Sequence, residues 1–369
     1  MASRLFLACG GLVLGLLSSE ALVAWVVPAP GCGIHFVARA GSCCLPDPRL
    51  IWIFRPGAAG TWQSDEFIER TTINSLGMRD REIEPRRPGE MRVVAIGDSF
   101  TYGHGVQLEE SWPKVLEEVL AAGSQAAGPV SVLNAGQPGY GIDQVFESFR
   151  LRRLGLEPDL VLVGLHSTDV TDDADKPLFD LRDGRLVPVD VRWGWVWLQA
   201  RALDALPSWL RSSKLVRLAL SSLRAVPALR GPAPRDPAAL HAWQRDKAVA
   251  EMAALRDLGR ERGFRVAVVL MPSDWALRDP GWQPFGDVPV RLRALGIPVL
   301  DDFHQFGAGF EEPLRLFFAK DKHLTAEGNR VLALDVARFL REQGLPDRAR
   351  ASGATLAVPG VPADRRDDP

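Results

Sequence analysis

From about residue 91 to residue 343, short apolar runs alternate with longer amphipathic stretches. Runs such as Arg92-Val93-Val94-Ala95-Ile96, Val130-Ser131-Val132-Leu133 and Leu160-Val161-Leu162-Val163-Gly164 are too short for core helices and read as buried strands. The pattern predicts strands near 92–97, 130–134, 159–165, 265–271 and 298–301. It predicts helices near 111–122, 142–153, 238–262, 286–295 and 325–343. Such alternation builds a mostly parallel sheet with helices on both faces, because a parallel crossover returns over one face of the sheet.

The alternation breaks in three places. Residues 29–90 form a β-rich lead-in, with Ile51-Trp52-Ile53-Phe54, Pro56-Gly57 and Gly60-Thr61-Trp62 reading as strand and turn. Residues 171–236 form an insertion. Within it, Phe179 to Val187 reads as a hairpin with its turn at Asp183-Gly184. Trp193, Trp195 and Trp197 alternate and would share one face if extended. A basic helical stretch follows from Ser208, with Arg211, Lys214, Arg217 and Arg224 along it. The insertion leaves the sheet just after Thr168, which makes a lid, an interfacial helix, a sugar-stacking face and a packed decoration all open readings. Residues 345–369, rich in Pro, Ala, Arg and Asp, read as a disordered tail. There is no internal repeat.

Upstream, Arg4 precedes an apolar stretch from Leu5 to Val27, interrupted by Ser18-Ser19-Glu20. At about 1.5 Å per residue it reaches roughly 35 Å, enough to span a bilayer core. No Lys or Arg follows until Arg39, which orients the span N-in. Residues 1–28 are therefore expected to be a single-pass, N-in membrane anchor, with the remainder outside the cytoplasm. The alternative is a signal peptide cleaved near Ser19-Glu20-Ala21, giving a secreted protein. Cys32, Cys43 and Cys44 follow on the oxidising side, and a bridge from Cys32 to Cys43 or Cys44 is one expectation. A net charge of −2 gives no electrostatic footprint for nucleic acid. The 6 histidines are scattered, and no His or Cys pair has a zinc-site spacing, so no metal is expected.

The chemistry concentrates at two places. Gly97-Asp98-Ser99-Phe100-Thr101 follows the first core strand, where open α/β sheets hold their ligands. Ser99 is a candidate nucleophile, although an Asp and a Ser in such a turn also cap helices. Near the other end, Asp321-Lys322-His323 opens the last helix. A serine hydroxyl needs a base within hydrogen-bond reach, and the base needs a group to fix its tautomer. His323 and Asp321 are the residue types for those roles.

With these motifs the chain resembles the SGNH (GDSL-type) hydrolase superfamily over roughly residues 88–343, within a hydrolase domain at 91–344. Four blocks carry the resemblance: Gly97 to Gly103; Asn134-Ala135-Gly136-Gln137-Pro138-Gly139-Tyr140-Gly141; Leu160 to Gly164 with His166-Ser167-Thr168-Asp169; and Asp321-Lys322-His323. The segment Asn74 to Glu82 looks most like membrane-anchored bacterial members. The resemblance implies a flavodoxin-like three-layer α/β/α fold and a triad of Ser99, His323 and Asp321. It implies an oxyanion hole from the N–H groups of Ser99 and Gly139 and the side chain at Thr168. The family usually has Asn at that last position, and a threonine hydroxyl is a shorter donor; His166 is the other candidate for the gap. The Asp also stands two residues before the His, where many relatives have three.

The activity implied is cofactor-free hydrolysis of acyl esters, short or acetyl, on a cell-envelope or exopolysaccharide glycan. An O-acyltransferase would use the same triad. The reading from another class is a catalytically weak, membrane-tethered glycan-binding or assembly protein, favoured by Thr168 and opposed by the intact Ser99, Gly139 and His323.

Overall fold

In the computed structural model, five strands lie side by side in one parallel sheet. The structure describes residues 43–123, 128–172, 176–207, 213–226, 236–279, 281–301 and 305–345, with residues 18, 210 and 229 singly. Strands are numbered in chain order. The lead-in carries two antiparallel hairpins, β1 (Cys44–Asp47) with β2 (Ile51–Phe54) and β3 (Ala59–Gln63) with β4 (Ile68–Thr72). The sheet is built from β5 (Met91–Gly97), β6 (Val130–Asn134), β7 (Leu160–Leu165), β10 (Arg265–Leu270) and β11 (Val299–Leu300). Between β7 and β10 comes the insertion hairpin of β8 (Phe179–Arg182) and β9 (Arg185–Pro188). The sheet order is β11-β10-β7-β5-β6. In the order of the five core strands this is 2-1-3-4-5 read from the β6 edge, the flavodoxin-like arrangement.

Alternate residues of each strand serve opposite cores. Val93 and Ala95 join the helices Trp112–Gly123 and Ala326–Glu342 on one face, through Trp112, Leu116, Leu332 and Val336. Val94 and Ile96 join Ile142–Ser148, Pro237–Arg262 and Val288–Ala294 on the other, through Val145, Met252, Leu255 and Leu292. Burial on both faces is why these strands read as continuous apolar runs.

After β5 the chain turns one way to β6 and then crosses back to β7, so the switch point lies between β5 and β7. Gly97 stands opposite Gly164 there. Ser99 and His166 each follow two residues later, so the strand register brings these loops together. The approach is close. A Cβ on Gly97 would lie 2.2 Å from the Thr101 hydroxyl and 2.6 Å from the Gly164 carbonyl oxygen.

The insertion departs from its sequence reading. The Asp-Gly hairpin forms, with Asp183 and Gly184 both at positive φ (49° and 72°), the pattern of a type I′ turn. The tryptophan segment is not extended. It makes a 3₁₀ turn (Val191–Trp193) and the helix Trp195–Ala205, which contacts β1 and β2. Trp195 is buried and Trp197 packs against the same core, which removes both from sugar stacking. The apolar alternation fits a helix because Trp195, Val196, Gln199, Ala200 and Leu203 recur at the spacing of one buried helical face. The Asp143 carboxylate ties the insertion down, accepting from Leu178 N–H (2.7 Å) and Phe179 N–H (3.2 Å) while pairing with buried Lys247. The helical reading at Ser208 holds from Lys214 to Ser221, whereas Ser208 and Arg211 lie outside the described residues.

The anchor at Leu5–Val27, Cys32 and the tail beyond Leu345 likewise lie outside the described residues. Among the described residues no helix is long and apolar enough to cross a membrane.

Candidate active site

Strand β5 runs directly into the short helix Ser99–Tyr102. Asp98 caps it, its carboxylate accepting from Phe100 N–H at 2.9 Å. The helix ends in a left-handed Gly103. Arg79, fully buried, holds its far end by donating to the carbonyls of Tyr102 (3.0 Å), Gly103 (2.7 Å) and Val106 (2.6 Å). The segment Asn74–Glu82 thus acts as a strut beneath the Ser99 helix.

Ser99 and the distant pair Asp321 and His323 meet at the C-terminal edge of the sheet. The Ser99 hydroxyl lies 2.7 Å from His323 Nε2, and His323 Nδ1 lies 2.6 Å from Asp321 Oδ1. A carboxylate only accepts, so Nδ1 is the donor and Nε2 is left to take the serine proton. The two-residue Asp-to-His spacing works because Lys322 between them takes a positive φ of 76°, folding the loop back on itself. That conformation is uncommon for a side-chain-bearing residue. Burial drives the His323 imidazole below its ordinary value of 6.5; the Asp321 hydrogen bond pulls upward, and the nearby His104 adds to the lowering. For Asp321, burial opposes the charge, but the His323 hydrogen bond and the charges of His323 and His104 hold its carboxyl below the ordinary value.

Gly139 sits in the turn Gln137-Pro138-Gly139-Tyr140, closed by Tyr140 N–H to the Gln137 carbonyl at 3.2 Å. Proline followed by a glycine at φ 75° is the signature of a type II turn. Gln137 N–H bonds the Gly97 carbonyl at 2.9 Å, docking this turn beside the serine loop. Gly136 is forced by contact, since a Cβ there would lie 2.2 Å from Tyr102 N. Buried Lys176 binds the Gly139 carbonyl from the insertion side. Among the described residues the N–H groups of Ser99 and Gly139 meet no acceptor.

Thr168 lines the cavity beside Ser99, but its hydroxyl is 2.8 Å from His166 Nδ1, which also accepts from Thr168 N–H at 3.3 Å. A ring nitrogen that accepts from the backbone also accepts the hydroxyl proton, so that proton is turned away from an oxyanion. His166 stacks on Phe100 with ring centroids 4.1 Å apart. Burial, and then nearby His323, push its imidazole down to about 3, so it is neutral near pH 7.

The cavity is about 380 Å³ and is lined by Ser99, Phe100, His166, Ser167, Thr168, the Ser273–Trp275 turn, Trp282 and Asp321–His323. No described residue of the insertion lines it, which leaves the lid reading without support. The sequence reading missed Trp275 and Trp282, and also Glu66, Glu69 and His104. Their only signal was residue type, since none belongs to a spaced motif. His104, Asp321 and His323 offer ligand atoms within 4.8 Å of one another, but Asp321 and His323 are already engaged with each other and with Ser99.

The family model of GDSL-like lipases/acylhydrolases matches residues 95–331. No curated protein matches the sequence. Solved structures similar at low identity include the following three. A lipase/acylhydrolase from Enterococcus faecalis is 14% identical, over 69% of this chain and 96% of that one, with a TM-score of 0.39. The psychrotrophic esterase EstA from a Pseudoalteromonas species is 13% identical, over 68% and 97%, with a TM-score of 0.39. A catalytic mutant of an acetylxylan esterase from Geobacillus stearothermophilus is 12% identical, over 68% and 94%, with a TM-score of 0.40.

Proposed function

We propose that this chain, which belongs to the GDSL-like lipase/acylhydrolase family, is a serine esterase that removes short acyl groups from a glycan. The observation that carries the reading is the continuous chain Ser99–His323–Asp321, at 2.7 and 2.6 Å, at the switch point of the sheet.

The steps follow from the positions of the groups. His323 Nε2 takes the Ser99 proton as Oγ attacks the ester carbonyl carbon. Asp321 holds the other ring nitrogen and stabilises the imidazolium that forms. The carbonyl oxygen, now an oxyanion, takes hydrogen bonds from Ser99 N–H and Gly139 N–H. Such donors stabilise charge only as it develops, so they act on the barrier rather than on binding. His323 then gives its proton to the leaving alkoxide, releasing an alcohol and leaving an acyl ester on Ser99. Water attacks that ester with His323 as base again, and the carboxylic acid departs. Every proton is returned, and no cofactor is required.

Two features support a small acyl group on a sugar. At about 380 Å³ the cavity lies at the small end of ligand pockets. At its wall stands Trp275, 62% exposed, a large aromatic face that makes little use of the core and can stack on a ring. We further propose that the apolar stretch Leu5–Val27 anchors the enzyme in the inner membrane with this site in the periplasm. An acetylated oligosaccharide incubated with the enzyme distinguishes hydrolysis from transfer. Hydrolysis releases acetate equal to the ester lost. Ester that moves to an added sugar acceptor without acetate release would replace the esterase reading with acyl transfer.

A further inference from the structure

The aspartate of the triad has a second face. Its Oδ1 takes the His323 ring, while its Oδ2 looks toward His104 Nε2, 3.7 Å away. His104 is buried, and its other nitrogen, Nδ1, is 3.1 Å from Glu69 Oε2. Glu69 is completely buried on β4. It is fixed by Gly105 N–H (2.9 Å), by the hydroxyls of Thr71 (2.5 Å) and Tyr102 (2.8 Å), and by Arg79 at 3.7 Å. Arg79 and its carbonyl partners make the Glu69 charge tolerable. Burial works against that charge, but the contact from His104 and the charge of Arg79 hold the Glu69 carboxyl down at about 2.

We propose that His104 is a positioning residue for the triad, resting on the esterase reading: it holds Asp321 from behind and sets the pH at which His323 becomes a base. Three further observations place it there. First, His104 N–H bonds the Ser99 carbonyl at 3.0 Å, so its backbone belongs to the nucleophile's own turn. Second, its ring meets Trp62, Phe67 and His323 edge to face, with centroids at 5.5, 5.2 and 4.8 Å, leaving it little rotational freedom. Third, the charged and titratable groups facing it are Glu69, Asp321 and His323, with Arg79 and Tyr102 behind Glu69.

The 3.7 Å gap is an ion-pair distance. Catalytic contacts of this sort tighten when charge develops in the transition state. His104 lies beside the His323 ring and lowers its imidazole, so it keeps His323 in its basic form to lower pH. Removing His104 therefore raises the His323 pKa, and the acid limb of kcat/KM moves up. Loss of the contact behind Asp321 also loosens the carboxylate, and the cost falls on kcat more than on KM.

The test is the pH profile of ester hydrolysis for wild type and His104→Gln, with thermal melting to confirm folding. The proposal expects the acid limb to rise by at least about half a pH unit. It also expects kcat near neutral pH to fall about 10-fold with KM little changed. A folded His104→Gln with an unmoved acid limb and unchanged kcat overturns it. If that variant does not fold, His104→Asn takes its place: a raised acid limb with lowered kcat supports the proposal, and a folded variant with both unchanged contradicts it. The esterase reading fails separately, if Ser99 of the wild-type protein does not react with a phosphonate probe.

Discussion

At the scale of single residues, Ser99, His323 and Asp321 carry the bond-making steps proposed for the site. Ser99→Ala and His323→Ala should each lower kcat with an acetyl ester by at least about 10³-fold while leaving the melting temperature close to wild type, because Ser99 opens a one-turn helix and His323 lies in the loop before the last helix, both beyond the strand ends that build the core. Asp321→Ala should be milder. Turnover within a few-fold of wild type in the serine variant would remove Ser99 from the mechanism. The pH dependence has a definite sign. In the proposed mechanism His323 acts only when neutral, and burial holds its imidazole below the ordinary 6.5. Activity should therefore persist below pH 6.5 and then decline. An acid limb above 6.5 would contradict the burial argument. Thr168 is the residue whose role the structure changes most. With its hydroxyl turned to His166 Nδ1, Thr168→Val should leave kcat within about 3-fold of wild type; a loss of 10-fold or more would restore it to the oxyanion hole. Ser99, His323 and Asp321 were legible because triad chemistry needs those residue types. The side-chain turn of Thr168 was not, because it depends on a neighbouring ring that no spacing rule specifies.

At the scale of elements, the lead-in does more than precede the catalytic domain. Glu66, beside β4, accepts from Lys320 N–H at 3.0 and 3.1 Å and from Asp321 N–H at 2.8 Å. It therefore fixes the loop that carries the triad acid. Glu66→Ala should lower kcat about 10-fold with little effect on stability, and Glu66→Gln, which keeps an acceptor, should recover most of it. Equal losses in both variants would show that charge, not the hydrogen bond, matters. In the loop after β6, Gly136→Ala should destabilise the fold by at least about 2 kcal/mol, since the new Cβ meets the Thr101–Tyr102 backbone, which cannot yield. A urea midpoint unchanged by that substitution would contradict the packing. These elements also separate what a sequence reveals from what it hides. The five core strands and their helices were legible because strands apolar on both faces write their burial directly into the chain. The link from β4 to the triad loop was not, because it joins residues more than 250 positions apart through hydrogen bonds from backbone to side chain. The helix Trp195–Ala205 was left open because alternate tryptophans fit a strand as well as a helical face that happens to start with them.

At the scale of the whole molecule, the buried histidine and glutamate make the fold acid-sensitive. The folded pKa of His166 is about 3, against an ordinary 6.5. Between those values the unfolded chain binds a proton that the folded protein refuses, so stability is complete above 6.5 and is lost as pH falls. Glu69, at about 2 against 4.5, adds a second loss below pH 4.5. The melting temperature should decline below pH 6.5 and more steeply below 4.5, and His166→Phe should flatten the upper part. A melting temperature constant from pH 7 to 4 would contradict this. The proposed anchor predicts that full-length protein sediments with membranes and that a chain beginning near residue 43 is soluble and active. A mature N-terminus near Leu22 would mean a cleaved signal instead. The central claim is that Ser99 is the nucleophile of an esterase, and peptide mapping after treatment with a fluorophosphonate tests it most directly. The account predicts a phosphonyl adduct on the peptide containing Ser99, abolished in Ser99→Ala and strongly slowed in His323→Ala. A folded wild-type protein with Ser99 unmodified would contradict it.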